Sequence, residues 1–315
     1  MNAREILELR QRVRRSLRDV FDGLGFLEVD TPVLATEVLP EAHIDPVAVS
    51  VGGGRTTHYL QASPELLMKR LLAAGSGPIY QFARSFRAGE VGRHHDVEFV
   101  MLEWYAPAAT LDDTAGLLER LCRAALGTTG IERLTCSEAF MAHAGVDPLA
   151  APAADMLASL RRAGVAVPAT LESLPESDRR DRAFELLLAE VVQPRLGRDR
   201  PTMLEAWPES QAAFARIDPA GVARRFELFV AGIELANGWE EETGRESLAG
   251  RIDAANRTRV ADGRDALPVP GRLLDAHGPS MPAGVGAALG FDRLAMLAAG
   301  VDSIDAVRCF SSRSA

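Results

Sequence analysis

The sequence predicts an α+β fold organised as one large domain over residues 1–315. Three observations carry this. Apolar runs rich in aromatic and β-branched residues flank a charged loop at residues 79–105, and a second such pair closes a hairpin at 224–241. An amphipathic helix opens the chain at residues 3–24. Residues 111–200 are Ala-, Leu- and Arg-rich and mainly helical in pattern. At 47% hydrophobic and 25% charged residues, the composition suits a globular chain with a sizeable core.

Composition also removes function classes. No run reaches the length of a membrane span, and MNAREILELRQRVRR lacks the apolar core of a signal peptide. Cys122, Cys136 and Cys309 are odd in number and scattered. They fit neither a disulfide framework nor a zinc knuckle, so a reducing cytoplasm is expected. The six histidines show no metal-ligand spacing. A net charge of −9 argues against broad non-specific nucleic-acid binding and leaves room for a local basic groove.

In chain order, Ile6, Leu9, Val13, Leu17, Val20 and Leu24 recur at three and four, with Gly23 and Gly25 as the stop. A strand Phe26–Val29 follows, then Asp30-Thr31-Pro32-Val33-Leu34. After a glycine turn, Gly52–Gly54, comes Tyr59 to Glu65. There Ser63 reads as an N-cap and Pro64 as a first helical residue. Ile79–Ala83 reads as a buried strand, Arg84–Asp96 as a loop dense in Arg and His, and Val97–Tyr105 as a strand carrying Glu98 and Glu103. Such a loop either grips a polyanion through guanidinium forks or is simply solvated.

Two helices are expected within 111–200, one through Leu117, Leu118, Leu121 and Leu126 and one over Phe184–Val192. Further on, Ala231-Gly232 as a turn pairs Phe229 with Glu234 and puts Glu227 and Glu234 on one face. A divalent cation would relieve their repulsion, and Mg²⁺ shared with phosphates is the usual occupant. Solvation on an outer face is the alternative. Gly284 to Leu294 is a run of small residues ending in Asp292-Arg293, with Arg293 opening an apolar helix.

These stretches resemble class II aminoacyl-tRNA synthetases of the lysyl type. Phe86-Arg87 matches the start of F-R-x-E in motif 2, and HHDVEF sits where the family has H-N-P-E-F. Met101 to Tyr105 matches a lysyl-subclass signature, as does Glu234-Leu-Ala-Asn-Gly238 with Glu241. The helix–strand pair with Pro32 is similar to motif 1, and Gly284–Arg293 to motif 3, G-x-G-x-G-x-D-R. Ala288 stands where lysyl-tRNA synthetases carry glycine, and the short elongation factor P (R)-β-lysine ligase family shares that alanine.

The resemblance implies an antiparallel sheet flanked by helices, with a helical insertion at about 111–200, no anticodon-binding OB domain and a homodimer. It implies ATP-dependent activation of (R)-β-lysine, or lysine, as an adenylate, followed by transfer to a lysine of elongation factor P, with tRNA disfavoured as acceptor. In that reading Arg87 and Arg293 are catalytic. Arg87, Glu90, His95, Phe99 and Arg293 bind ATP, and Phe99 and Arg293 sandwich the adenine. Ser63, Glu65, Glu103, Tyr105, Asn237, Glu241 and Ala288 line the amino-acid site, as does the run Met68 to Leu71, and Glu227 and Glu234 hold Mg²⁺. The family's motif 2 glutamate is Gly89, with Glu90 one place later, and Asp96-Val97 replaces Asn-Pro. Glu90 substitutes, or the loop serves another substrate, or activity is lost. The rivals are a short ligase that loads another amino acid onto tRNA or a carrier protein, and a non-catalytic synthetase-like regulatory subunit.

Overall fold

The structure, a computed structural model, describes residues 1–53 and 57–315. The last glycine of the expected Gly52–Gly54 turn lies outside the described residues; Gly52 and Gly53 have φ of +63° and +69°. In chain order the strands are β1 Leu27–Glu28, β2 Leu34–Ala35, β3 Val47–Ser50, β4 Thr57–Leu60, β5 Ile79–Phe86, β6 Glu98–Pro107, β7 Glu132–Thr135, β8 Thr202–Pro208, β9 Val222–Val230, β10 Ile233–Glu240 and β11 Gly284–Gly290. The helices are α1 Ala3–Gly23, α2 Glu65–Ala73, α3 Leu111–Leu126, α4 Cys136–Ala144, α5 Ala153–Arg162, α6 Glu176–Leu187, α7 Arg245–Ala261, α8 Gly271–Ala276 and α9 Phe291–Ala299. No helix among the described residues is long and apolar enough to cross a membrane. The chain divides into two compact units.

The first unit comprises Met1–Thr114, Arg123–Gly127 and Glu241–Ala315. Its main strands lie in the order β1, β5, β6, β11, with β1 parallel to β5 and the other pairs antiparallel. A small sheet β2, β4, β3 accompanies them. Helix α1 starts on a capping box between Asn2 and Glu5 and buries Ile6, Leu9, Val13, Leu17 and Phe21. The stripe therefore runs onto Phe21, and Leu24 is exposed beyond the helix end. The reason is the aromatic stack: Phe21 lies 4.5 Å from the Tyr80 ring. Helix α9 is fixed through Asp292, whose two carboxylate oxygens accept from Arg10 Nη1 (2.6 Å) and from the Val100 amide (2.8 Å).

The second unit comprises Ala115–Cys122 and Thr128–Glu240. Its strands run β10, β9, β8, β7, antiparallel except for the parallel pair β7/β8. Helices α4, α5 and α6 supply its core, in which Phe140 stacks on Phe184 at 4.9 Å and Phe184 meets Trp207 edge-on at 5.7 Å. The helix expected at Phe184–Val192 is the end of α6, continued as a π-turn over Leu188–Val192.

Several boundaries differ from the sequence reading. Strand β5 continues to Phe86, so Arg84 is a strand residue and pairs with Glu98 across the hairpin at 2.6 Å. Helix α2 begins at Glu65 with Pro64 as its cap, although the Ser63 hydroxyl still accepts from the Glu65 amide at 3.3 Å. Helix α9 starts at Phe291, two residues before Arg293. Helix ends are set by a few local hydrogen bonds and are the least legible feature of a pattern.

Candidate active site

Helix periodicity builds the first half of the site. On α2, Glu65 and Lys69 stand one turn apart on a buried face. The Lys69 ammonium lies 2.6 Å from Glu65 Oε1 and 2.7 Å from Glu241 Oε2, with all three side chains almost fully enclosed. Two of the acids assigned to substrate thus already share a resident cation. The sequence places Lys69 in the Met68–Leu71 run that lines the amino-acid site but gives it no ionic partner, although its spacing from Glu65 is a recognisable ion-pair spacing. Its second partner is 172 positions away and leaves no local trace.

Strand alternation builds the second half. Glu103 and Tyr105 project from one face of β6, and the Tyr105 hydroxyl donates to Glu103 Oε1 at 2.6 Å. Glu103 Oε2 is buried and has no hydrogen-bond partner in the structure. Burial, followed by the charge on Glu65, pushes the Glu103 carboxyl well above its usual range. Across the ladder Ala288 faces Glu103 and Gly286 faces Tyr105. A Cβ on Gly286 would stand 2.2 Å from Glu241 Oε1 and 2.4 Å from the Tyr105 ring, so the glycine admits both side chains. Ala288 places one methyl group beside Glu103.

Arg87 follows β5. Its amide donates to Val97 O at 2.9 Å, which closes the hairpin, and its guanidinium lies 5.1 Å from the Phe99 ring centre. Arg87 Nε is buried without a partner. Gly89 has φ of +78°, and beyond it Glu90 Oε1 comes to 3.7 Å from Arg87 Nη1. Phe99 therefore carries Arg87 on its face. Arg293 instead donates to His94 O at 3.3 Å and lies 2.7 Å from His95 Nε2, a contact that suits a neutral imidazole accepting at Nε2.

Asp96 is buried beneath this loop. It accepts from the Val97 amide (2.8 Å), the Ser312 amide (2.9 Å), the Ser312 hydroxyl and Arg308 Nη1 (2.7 Å). Burial opposes its charge, but these hydrogen bonds from Ser312 and the Arg308 cation outweigh it and hold the carboxyl below its usual range.

In the second unit, Ala231 and Gly232 form the β9/β10 turn with φ of +54° and +79°, and Phe229 pairs with Glu234 as the turn requires. A bulge at Leu235 then re-phases β10, so Asn237 rather than Ala236 stands opposite Glu227. Arg225, also unread from the sequence, lies with its guanidinium 4.2 Å from the Trp207 ring centre. It donates to Glu227 Oε1 at 2.5 Å and to Asn237 Oδ1 at 3.2 Å. Among the described residues no cluster of three or more acidic, His or Cys side chains is built to hold a metal alone. Two carboxylates on one hairpin still match the donor set of an Mg²⁺ whose other ligands are phosphate oxygens and water.

Comparison with known proteins places this geometry. The family of class II tRNA synthetases (D, K and N) matches residues 1–314. A protein of Enterobacter sp. (strain 638) named elongation factor P–(R)-β-lysine ligase is 39% identical over 308 residues, covering 96% of this chain and 93% of its own. Proteins of the same name from Klebsiella pneumoniae and Yersinia enterocolitica are also 39% identical, with the same coverage of both chains. The chain belongs to the class II tRNA synthetases, in the family of the elongation factor P–(R)-β-lysine ligases.

Proposed function

We propose that the protein activates (R)-β-lysine with ATP and transfers it to a lysine of elongation factor P. The enclosed acidic pocket carries this reading. Glu65 and Glu241 share a single resident ammonium, Lys69, and the buried Glu103 carboxyl nearby is held towards its protonated form by burial and by Glu65, so the pocket favours an amino acid that brings two ammonium groups. Ala288 beside Glu103 is the family's alanine.

Activation joins the substrate carboxylate to the α-phosphorus of ATP and expels pyrophosphate. The protein's task is to align two anions and offset the charge that develops. Arg87 would hold the carboxylate and the α-phosphate, since its guanidinium keeps a buried N–H without a protein partner. Arg293 would bind the outer phosphates, and Phe99 offers a ring face to the adenine once Arg87 turns to substrate. Glu227 and Glu234 would hold Mg²⁺, which supplies charge neutralisation on the phosphates. In the second step an acceptor amine attacks the acyl carbon, the bond to the phosphate oxygen breaks, and AMP leaves. A cytoplasmic setting suits both an ATP-consuming reaction and an acceptor of the translation machinery.

The test pairs two assays. ATP–pyrophosphate exchange should proceed with (R)-β-lysine in the absence of tRNA, and Arg87→Ala should lower it by about 10²-fold or more. Mass spectrometry of elongation factor P after incubation with enzyme, ATP and (R)-β-lysine should show the added acyl group, while bulk tRNA stays unlabelled. Labelled tRNA beside unmodified elongation factor P would overturn the acceptor assignment.

A further inference from the structure

A further carboxyl, Glu41, lines a cleft that also holds Ser63 of the amino-acid site. Glu41 lies in the segment between β2 and β3, in a cleft lined by Val38, Leu39, Tyr59, Ser63 and Leu66. The segment is fastened from two sides. The buried guanidinium of Arg259 donates to the carbonyls of Glu41 (3.1 Å) and Ile44 (2.7 Å) and to Asp45 Oδ1 (2.8 Å). The Ala88 amide, next in sequence to Arg87, donates to Asp45 O at 2.8 Å. The Glu41 carboxyl itself makes no hydrogen bond or ion pair with any described residue. The charged groups that act on it are Arg87 and Glu90 from the loop after β5, and Glu65 and Lys69 from α2; Glu37 and Tyr59 share its cleft.

A count of charges gives it a task. Lys69 already pairs with Glu65 and Glu241, so that triad carries one net negative charge for a substrate with two ammonium groups. Glu103, through Oε2, and Glu41 are carboxyls not committed to a cation; Glu37, which shares the Glu41 cleft, accepts from the Arg272 amide through Oε1. We propose that Glu41 is a specificity-determining residue of the amino-acid site, the carboxylate that receives the ammonium group nearest the substrate carboxylate, with Glu103 serving the distal one. This rests on the activation reading above, because Arg87 must hold the substrate carboxylate for Glu41 to meet the adjoining amine. Burial, partly opposed by Arg87, pushes the Glu41 carboxyl up to about 7. Below that pH it is neutral and attracts no cation, so affinity for the amino acid should rise as pH increases through 7.

The experiment measures ATP–pyrophosphate exchange by wild type, Glu41→Gln and Glu41→Asp, with thermal melting to confirm folding. Glu41→Gln should raise KM for the diamino acid about tenfold or more, leave KM for ATP within about twofold, and weaken the dependence of amino-acid KM on pH near 7, with the part due to the raised Glu103 carboxyl remaining. Glu41→Asp should recover part of the loss. The inhibition constant of 6-aminohexanoate, which carries only the distal ammonium, should be the same in wild type and Glu41→Gln. An unchanged KM for the diamino acid would overturn the proposal, as would an equal loss for 6-aminohexanoate. So would intact exchange with slowed transfer to elongation factor P, which would make Glu41 a base for the acceptor amine. Absence of exchange by wild type with every diamino acid would overturn the activation reading, and the role of Glu41 with it.

Discussion

Replacing Lys69 by methionine should expose the cost of the acidic pocket. The side chains of Lys69, Glu65 and Glu241 are 2%, 8% and 3% exposed. Removing the cation therefore takes the shared counter-charge from two buried carboxylates. Breaking a buried pair from one side costs about 3–5 kcal/mol. With an unfolding entropy of about 2.1 cal/mol/K per residue over 315 residues, this lowers Tm by about 5–8 °C. The sign of the pH dependence follows from linkage. In the variant one carboxyl must take a proton, so its folded pKa lies above its unfolded value. The folded state is then best off in acid and loses ground as pH rises through the folded pKa. The Tm deficit should be larger at pH 8 than at pH 5.5. Adding Glu241→Gln to Lys69→Met should return part of the loss, because one fewer buried carboxylate is then left without the Lys69 charge. Differential scanning calorimetry of the three proteins at both pH values decides it. A Lys69→Met deficit under 1 °C at pH 8, or one equal at both pH values, would refute the account of Lys69 as the pocket's counter-ion.

Other outcomes follow from the same geometry. Gly286→Ala forces a Cβ into Glu241 and Tyr105, so kcat/KM for the amino acid should fall by about 10²-fold while KM for ATP changes little in exchange assays. Arg308→Ala removes the cation from buried Asp96 and should lower Tm by several degrees at pH 7. Because the folded pKa of Asp96 is depressed, its contribution is complete above the usual carboxylate value of 3.8 and is lost as pH falls through the folded value, so the gap between variant and wild type should close in acid melts. Leu7 and Leu27 are 59% exposed and Leu34 is 38% exposed on the elements that resemble motif 1, so light scattering at micromolar concentration should give the mass of a homodimer; a stable monomer would contradict this.

Legibility from sequence tracked the range of the interaction. Helix α1 was readable because its cap and apolar stripe are local, and the β9/β10 register because a two-residue turn fixes it. The bulge at Leu235 was not, since no residue type marks it; it appears only in the pairing of Asn237 with Glu227. Glu65 was found by motif, whereas its pairing with Lys69 and Glu241 depends on the fold bringing α2 beside the residue that follows β10. Glu41 lies in no motif, and only the anchoring of its segment by Arg259 and Ala88 makes its position informative.

Both departures from the family pattern have structural explanations. Asp96 replaces the family's asparagine, but both its oxygens are taken by Ser312, Arg308 and the Val97 amide. Its charge is used to fasten the segment around Arg308–Ser312 beneath the motif 2 loop, which is a structural task. Gly89 replaces the family's glutamate, yet its left-handed φ of +78° is a conformation that a side chain would strain, and the turn it makes brings Glu90 to 3.7 Å from Arg87. A carboxylate therefore still stands beside Arg87, one position later in the chain. Neither change strips charge from the groups assigned to ATP. A regulatory subunit without chemistry would have no use for Glu65, Glu103 and Glu241 enclosed around one lysine, because burying such an acidic set costs folding stability that a simple apolar core would not. That expense is understandable if the pocket is completed in each turnover by a substrate that carries two ammonium groups.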